Sequence, residues 1–479
     1  MICKKCNVSV LLLFLFTGLV TLNLINPLYV TGTDWPQLGR DPARSNYTPD
    51  TPPLAPQVRW VWKPPNSAKI GAQVQPVVAQ NVIVIGATDG KVYGINISSG
   101  TTRWTFTTGG PIIHTSAIDN GIAYVGSADG KLYAINLLNG TSVWTFQGTS
   151  GFYVAPLVVN GKVYAAEVDG WVYCIDSNTG AQIWKTGTDS PILCCPAYGD
   201  NKIYIGSEDM YAHAFDANTG TEVWKTRLYG IGFMLYWPVY SSNTVVFRTR
   251  RMYSNGPDVI VDWTLNILVK SQYCDDSDDD YTATQQEIRD YLTSHPDEKT
   301  FFVLDTSNGQ ERFVAPVAMV ARHQDCPLPP VLDSNGNFCV PIRVRSSAIC
   351  GFSFASGYNT CDGTWGSIVP DFARLNLTTG LFERIGSKHC QWQTGTFRMC
   401  CDDMSIFTVA SHYFLGIHEP DNLGYADMNS PYIAYHPGLN WDVGGDHGNS
   451  GVGYNPLIVV NGVIYNHNHL GNGSVAALW

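Results

Sequence analysis

Charged side chains are scarce in this chain: Asp, Glu, Lys and Arg make up 14% of its 479 residues, against about a quarter in an average globular protein. No long basic run is present and the formal net charge is −11, which argues against nucleic acid as a partner. There is no Cys-x-x-Cys-His to hold a c-type haem covalently, no Walker loop and no Ser-His-Asp elbow. The paired-carboxylate signature of a glycosidase or lyase is also missing. The low charge, with Gly and Pro together at 73 residues, excludes a coiled coil, a collagen-like fibre and a disordered acidic tail, while hydrophobic residues at 44% and aromatics at 12% are plentiful. They supply core material for one large all-β domain.

One apolar run, residues 8–20, follows Lys4 and Lys5, and Val30 and Gly32 suit cleavage before Thr33. Residues 1–32 read as a signal peptide, so the expected location is secreted or periplasmic, with no membrane span after cleavage. Asn23, Asn26 and Pro27 interrupt the run short of the roughly 20 apolar residues a span needs; an uncleaved anchor is the other reading. Cys3 and Cys6 precede the run, which argues against a lipoprotein anchor. Beyond it lie eleven cysteines, several of which an oxidising compartment is expected to bridge, with a connectivity that spacing leaves open. Sequons stand at Asn46, Asn96, Asn139, Asn376 and Asn472.

Internal repetition organises the rest. Trp104, Trp144, Trp184 and Trp224 recur every 40 residues, as do Asp89, Asp129, Asp169 and Asp209, and Gly100, Gly140, Gly180 and Gly220. A period near 40 built of strand-like segments predicts propeller blades. In residues 111–146, a first strand ends at Asn120-Gly121, residues 122–127 form a second, and Asp129-Gly130 makes a tight turn into a third at 131–136. A turn at Asn139-Gly140 leads to a fourth strand at 142–146, whose tryptophan supplies an apolar body to wedge between sheets. Residues 301–314 and 373–380 repeat the later part of the unit, with Phe313 and Arg384 at the Trp position. Residues 405–412 read as the second strand of a seventh unit, and residues 456–479 as a last unit that stops after its third strand. Residues 58–62 match residues 102–106 as a fourth strand without its first three, expected to complete the final blade. The predicted fold is therefore an all-β, eight-bladed β-propeller of four-stranded antiparallel blades over residues 57–479, with a lead-in at 33–56 and a surface insertion at 252–299. Seven blades is the alternative.

Units such as Asp169-Gly-Trp-Val-Tyr-Cys-Ile-Asp-Ser-Asn-Thr-Gly-Ala-Gln-Ile-Trp184, and the lead-in Asp34-Trp-Pro-Gln-Leu-Gly39, resemble the pyrroloquinoline-quinone (PQQ)-like repeats of the quinoprotein alcohol dehydrogenase-like propellers, most strongly over residues 70–225. The resemblance implies either a PQQ- and calcium-dependent alcohol dehydrogenase or a quinone-free binding scaffold resembling the outer-membrane assembly propeller; the second is the leading expectation. It implies for Cys194 and Cys195 a vicinal disulfide packed on the quinone, the other reading being a bridge from each to a different neighbour such as Cys174 or Cys390. The calcium ligands and catalytic aspartate of those enzymes find no secure match.

Long insertions after Arg251, Ser347 and His412 are expected between second and third strands, so blades five to eight should carry a decorated face. Aligned at the end of the second strand, the blades give Thr88, Ala128, Val168, Glu208, Arg251, Arg343, His412 and His469, with Arg248 and Arg250 as register alternatives in blade five. That cationic half reads either as a solvated rim paired with carboxylates such as Asp402 and Asp403, or as a site for a protein or small anionic ligand, such as PQQ or an acidic glycan. Asp276, Asp278, Asp280 and Glu287 have EF-hand-like calcium spacing, but Tyr281 stands where that loop needs glycine, and Thr284 to Glu287 reads equally as a helix-opening capping box. His447, His467, His469 and Asp446 are a further candidate metal set.

Overall fold

The computed structural model describes residues 34–53, 57–71, 73–233, 236–249, 278–317, 329–346, 367–385, 408–411, 413–418, 422–427, 457–468 and 474–479. Among them are eight four-stranded sheets, each one blade of a propeller. Blade one runs Val77–Ala79, Val82–Gly86, Lys91–Asn96 and Thr102–Thr107 as an antiparallel meander, and blades two to six follow the same order. First strands of successive blades lie against one another, which makes them the inner wall of the ring.

The tryptophan period has a direct cause. Trp104 Nε1 donates to Leu137 O of the next blade, and Trp144, Trp184 and Trp224 do the same to Ser177 O, Ala217 O and Thr306 O. Each indole lies flat against a turn glycine of that next blade: a Cβ on Gly140, Gly180 or Gly220 would come within 2.8 Å of the ring of Trp104, Trp144 or Trp184. These glycines also have φ near +73°, which side chains disfavour. The 40-residue spacing is thus an inter-blade latch. Phe313 takes the indole's place against Gly380 and has no N–H to donate.

Blade eight is completed from the N-terminus. Val58–Trp62 pairs antiparallel with Ser474–Leu478, with Trp62 opposite Val475, beside Val463–Asn468 and Ile458–Val460. Blade seven departs from expectation. Thr408–Ala410 is its first strand and Tyr413–His418 its second, so residues 405–412 do not contain the second strand. Asn422–Asp427 is its third strand, and the remaining strand of the sheet is Tyr47–Thr48 from the lead-in, parallel to Thr408–Ala410.

That lead-in is the second closure of the ring. Inner strands have one unpaired edge, whose buried N–H groups need acceptors. Val78, Ile118, Val158, Tyr198, Tyr240, Leu332, Val409 and Ser411, from blades one to seven in turn, donate to Trp35 O, Pro36 O, Gln37 Oε1, Pro42 O, Ala43 O, Ser45 O, Asn46 O and Thr48 O. Asn461 N of blade eight completes the circuit to Asp50 Oδ2. A strap of 16 residues, 35–50, therefore touches every blade before the chain becomes the outer strand of the last one.

The region expected as a surface insertion at 252–299 is in part structural. Residues 250–277 lie outside the described set, but the helix Asp278–Ser294 buries Ile288 and Leu292. Gln285 accepts from Phe382 N at 2.6 Å and donates to Phe382 O at 3.0 Å, acting as a surrogate strand on the outer edge of blade six. Arg289 donates to Val314 O of blade five and Thr379 O of blade six. The helix bridges two blades.

Candidate functional site

The strap turns inward at Gly39, whose φ of +67° and 2.9 Å approach of a would-be Cβ to Arg44 Cα exclude a side chain. This places Arg44 inside the ring, wholly buried. Its Nη1 donates to Leu38 O at 2.6 Å, Nε to Pro196 O at 2.8 Å and Nη2 to Pro156 O at 3.4 Å. Pro156 and Pro196 immediately precede the first strands of blades three and four, so one guanidinium ties the strap to both. Burial lowers its pKa to about 10, with Cys195, Asp41 and Cys194 acting the other way, and it stays charged at neutral pH. Asp41, raised by burial, accepts from the Ser45 hydroxyl and backbone N–H three residues from Arg44 in sequence.

Inner-wall positions repeat with the blades: Gln75, Thr115, Ala155 and Cys195 are 40 residues apart, and Gln75 N donates to Thr115 Oγ1 just as Ala155 N donates to Cys195 Sγ. His114 lies one residue before Thr115, with its Nε2 3.3 Å from Cys195 Sγ. Its Nδ1 accepts the Thr115 N–H at 2.8 Å, which puts the proton of the neutral ring on Nε2, pointing at the sulfur. Burial and then Arg44 push His114 down to about 3, while burial pushes the Cys195 thiol up to about 11. A thiol beside an imidazole that already carries its proton on the facing nitrogen is not an activated nucleophile. The same proton blocks Nε2 as a metal ligand.

The expected disulfides are corrected here. Cys174, Cys194, Cys195 and Cys339 are free thiols. The chain bends at Cys194, which packs in the core between blades four and five, while Cys195 joins a different core cluster towards blade three. Cys194 Sγ donates to Cys195 O rather than meeting the other sulfur. Cys174 and Cys339 sit in separate blades. The remaining cysteines, Cys390 among them, lie outside the described residues.

Of the cationic row, Arg251, His412 and His469 lie outside the described residues. Arg343 is placed by its backbone, opposite Pro370 in the second strand of blade six, a strand that continues to Ser346. The pairing Ala410↔Tyr413 shifts the blade-seven alignment, so counting six residues from the strand start reaches Glu419 rather than His412; Ser241↔Thr244 likewise selects Arg250 in blade five. Glu208, in the compact half, accepts the Phe233 N–H. Long connections separate second from third strands in blades five and six, but in blade seven only residues 419–421 do.

Asp278 and Asp280 lie on the first turn of the helix Asp278–Ser294 and Glu287 is exposed on the same helix, so residues 278–287 follow helical rather than EF-hand-loop backbone; Asp276 lies outside the described residues. His467 pairs opposite Val475 in blade eight, with His447 and Asp446 outside. Among the described residues no group of three His, Cys, Asp or Glu converges as a metal requires. No local sequence motif marks Arg44, His114 or the strap. The 40-residue spacing of the inner-wall positions was the signal available.

Eight four-stranded sheets around a strap-lined interior define a β-propeller whose repeats are similar to PQQ repeats. A family profile described as outer membrane protein assembly factor BamB matches residues 55–169, 149–230 and 168–261. BamB from Moraxella catarrhalis is similar in structure, with 14% identity, TM-score 0.53, and coverage of 88% of this chain and 99% of that one. The quinohemoprotein alcohol dehydrogenase from Comamonas testosteroni has 13% identity, TM-score 0.56, and coverage of 93% and 80%. A europium-containing methanol dehydrogenase has 12% identity, TM-score 0.53, and coverage of 94% and 98%. No curated protein matches the chain. Among the described residues no helix is long and apolar enough to cross a membrane.

Proposed function

We propose that this propeller is an exported binding scaffold whose recognition loops sit on blades five and six and meet a protein or a small anionic ligand. The observation that carries this is the asymmetry of the face where second strands lead to third. Gly86 to Lys91, Gly126 to Lys131, Ala166 to Trp171 and Ser207 to Tyr211 are tight turns, whereas Arg248 to Phe301 and Ser346 to Ser367 are long excursions on the same rigid frame. The strap lines the inner strands nearer the opposite face, which favours approach from the decorated one. The resemblance to BamB supports an assembly role in a cell envelope.

A PQQ- and calcium-dependent dehydrogenase is the second reading, favoured by the likeness to the two quinoprotein enzymes. The residues present fit it poorly: the two adjacent thiols part into different clusters, and the described carboxylates form no calcium-sized group. A photo-crosslinking amino acid at Ser367, compared with one at Ala128, tests the scaffold in cells of the source organism. Crosslinked partners from Ser367 alone are expected; equal yield at Ala128 would overturn the choice of face.

A further inference from the structure

Blade five breaks a rule that the first four blades keep. Counted from the pairs Ala79↔Val82, Asp119↔Ile122, Val159↔Lys162 and Gly199↔Lys202, the fifth residue of the second strand is Gly86, Gly126, Ala166 and Gly206. It is small because the incoming inter-blade segment lies on it: a Cβ would meet Ile112 at 2.2 Å on Gly86, Phe152 at 2.8 Å on Gly126 and Phe233 at 2.5 Å on Gly206. The same count from Ser241↔Thr244 reaches Arg248.

Arg248 is 7% exposed, its guanidinium 4.9 Å from the centroid of Phe301, and its Nε and Nη1 are buried without a hydrogen-bond partner. Trp237, two residues before the strand Val239–Ser241, belongs to the same core cluster as Phe301, the ring that Arg248 covers, and its Nε1 is likewise buried without an acceptor. Burial lowers the Arg248 pKa to about 9, with Tyr236 opposing, so the group is charged at neutral pH. Buried donors without acceptors, one of them a full cation, form a locus that lacks one thing, an anionic acceptor.

We propose that Arg248 and Trp237 form a binding site for an oxyanion, a carboxylate or a phosphate group. The inference deepens the scaffold reading and rests on it only for the face from which the ligand enters. The test is thermal unfolding of the full chain at pH 7 and constant ionic strength, titrated in separate arms with acetate and with inorganic phosphate. A saturable rise in melting temperature is expected in at least one arm, and the responding arm names the anion. Arg248→Met should abolish the response, Arg248→Lys should weaken it at least tenfold by losing the forked donors, and Trp237→Phe should weaken it severalfold. If Arg248→Met does not fold, the Lys and Phe variants carry the test. No saturable response in either arm, or an equal one in Arg248→Lys and Trp237→Phe, overturns the site. Arg343→Ala separates the two readings: its loss of response with Arg248→Met unaffected would favour the rim and sink this site.

Discussion

At the scale of single residues, the chain spends its repeated tryptophans and glycines on joints between blades. Trp144→Phe keeps the ring against Gly180 but leaves Ser177 O without its indole donor, and should cost about 1 kcal/mol in denaturant unfolding at unchanged m-value. His114 makes a pH prediction. Its folded pKa of about 3 lies below the ordinary value of 6.5, so between those values the unfolded chain binds a proton the folded one refuses. Its contribution to stability is full above about pH 6.5 and is lost as pH falls towards 3, at up to about 1.4 kcal/mol per pH unit. Unfolding free energies of His114→Asn, compared with the parent across that window, should show a flatter acid limb; parallel limbs would mean that His114 is not held neutral. The tryptophans were readable from spacing alone. Arg44 and His114 were not, because each is defined by a hydrogen-bond partner far away in the chain, 152 residues for Arg44 and 81 for His114.

At the scale of elements, turn chemistry made most strands legible: Asp-Gly and Asn-Gly pairs bound them, and Asp129 Oδ1 accepts from Lys131 N at such a turn while Oδ2 takes the Tyr133 hydroxyl. Blade seven is shifted by one strand from the sequence expectation because it lacks both signals: Ser411, at φ +55°, stands where blades two, three and eight have Asn-Gly. The sequence of the helix Asp278–Ser294 fits an acidic loop or a short helix equally. Its role depends on Gln285 meeting the edge of a strand 97 residues away, which no local pattern encodes. Gln285→Ala should leave the Phe382 N–H and C=O without these bonds and cost roughly 1 to 3 kcal/mol. Replacing residues 252–299 by an Asp-Gly turn should destabilise blades five and six, although loop length alone is thermodynamically mild. Thermal unfolding distinguishes the outcomes: a melting temperature equal to the parent's would mean that the helix is ornamental.

At the scale of the whole molecule, the ring is closed twice, by Val58–Trp62 in the last sheet and by the strap inside it. The first closure was legible because an orphan fourth strand demands a partner; the second was hidden because main-chain acceptors leave no trace in side-chain pattern. Deleting residues 58–62 should lower the melting temperature and broaden the transition, since the outer edge of Ser474–Leu478 is exposed while the strap still holds the inner wall. An unchanged, sharp transition would show that the strap alone suffices. The central claim is that this propeller binds rather than oxidises. The most direct measurement is reconstitution of the purified chain with PQQ and calcium, followed by absorption spectroscopy after desalting and a dye-linked alcohol oxidation assay. The account predicts no stoichiometric quinone spectrum and no turnover above a quinone-free control; retained quinone at one per chain with alcohol-dependent dye reduction would contradict it.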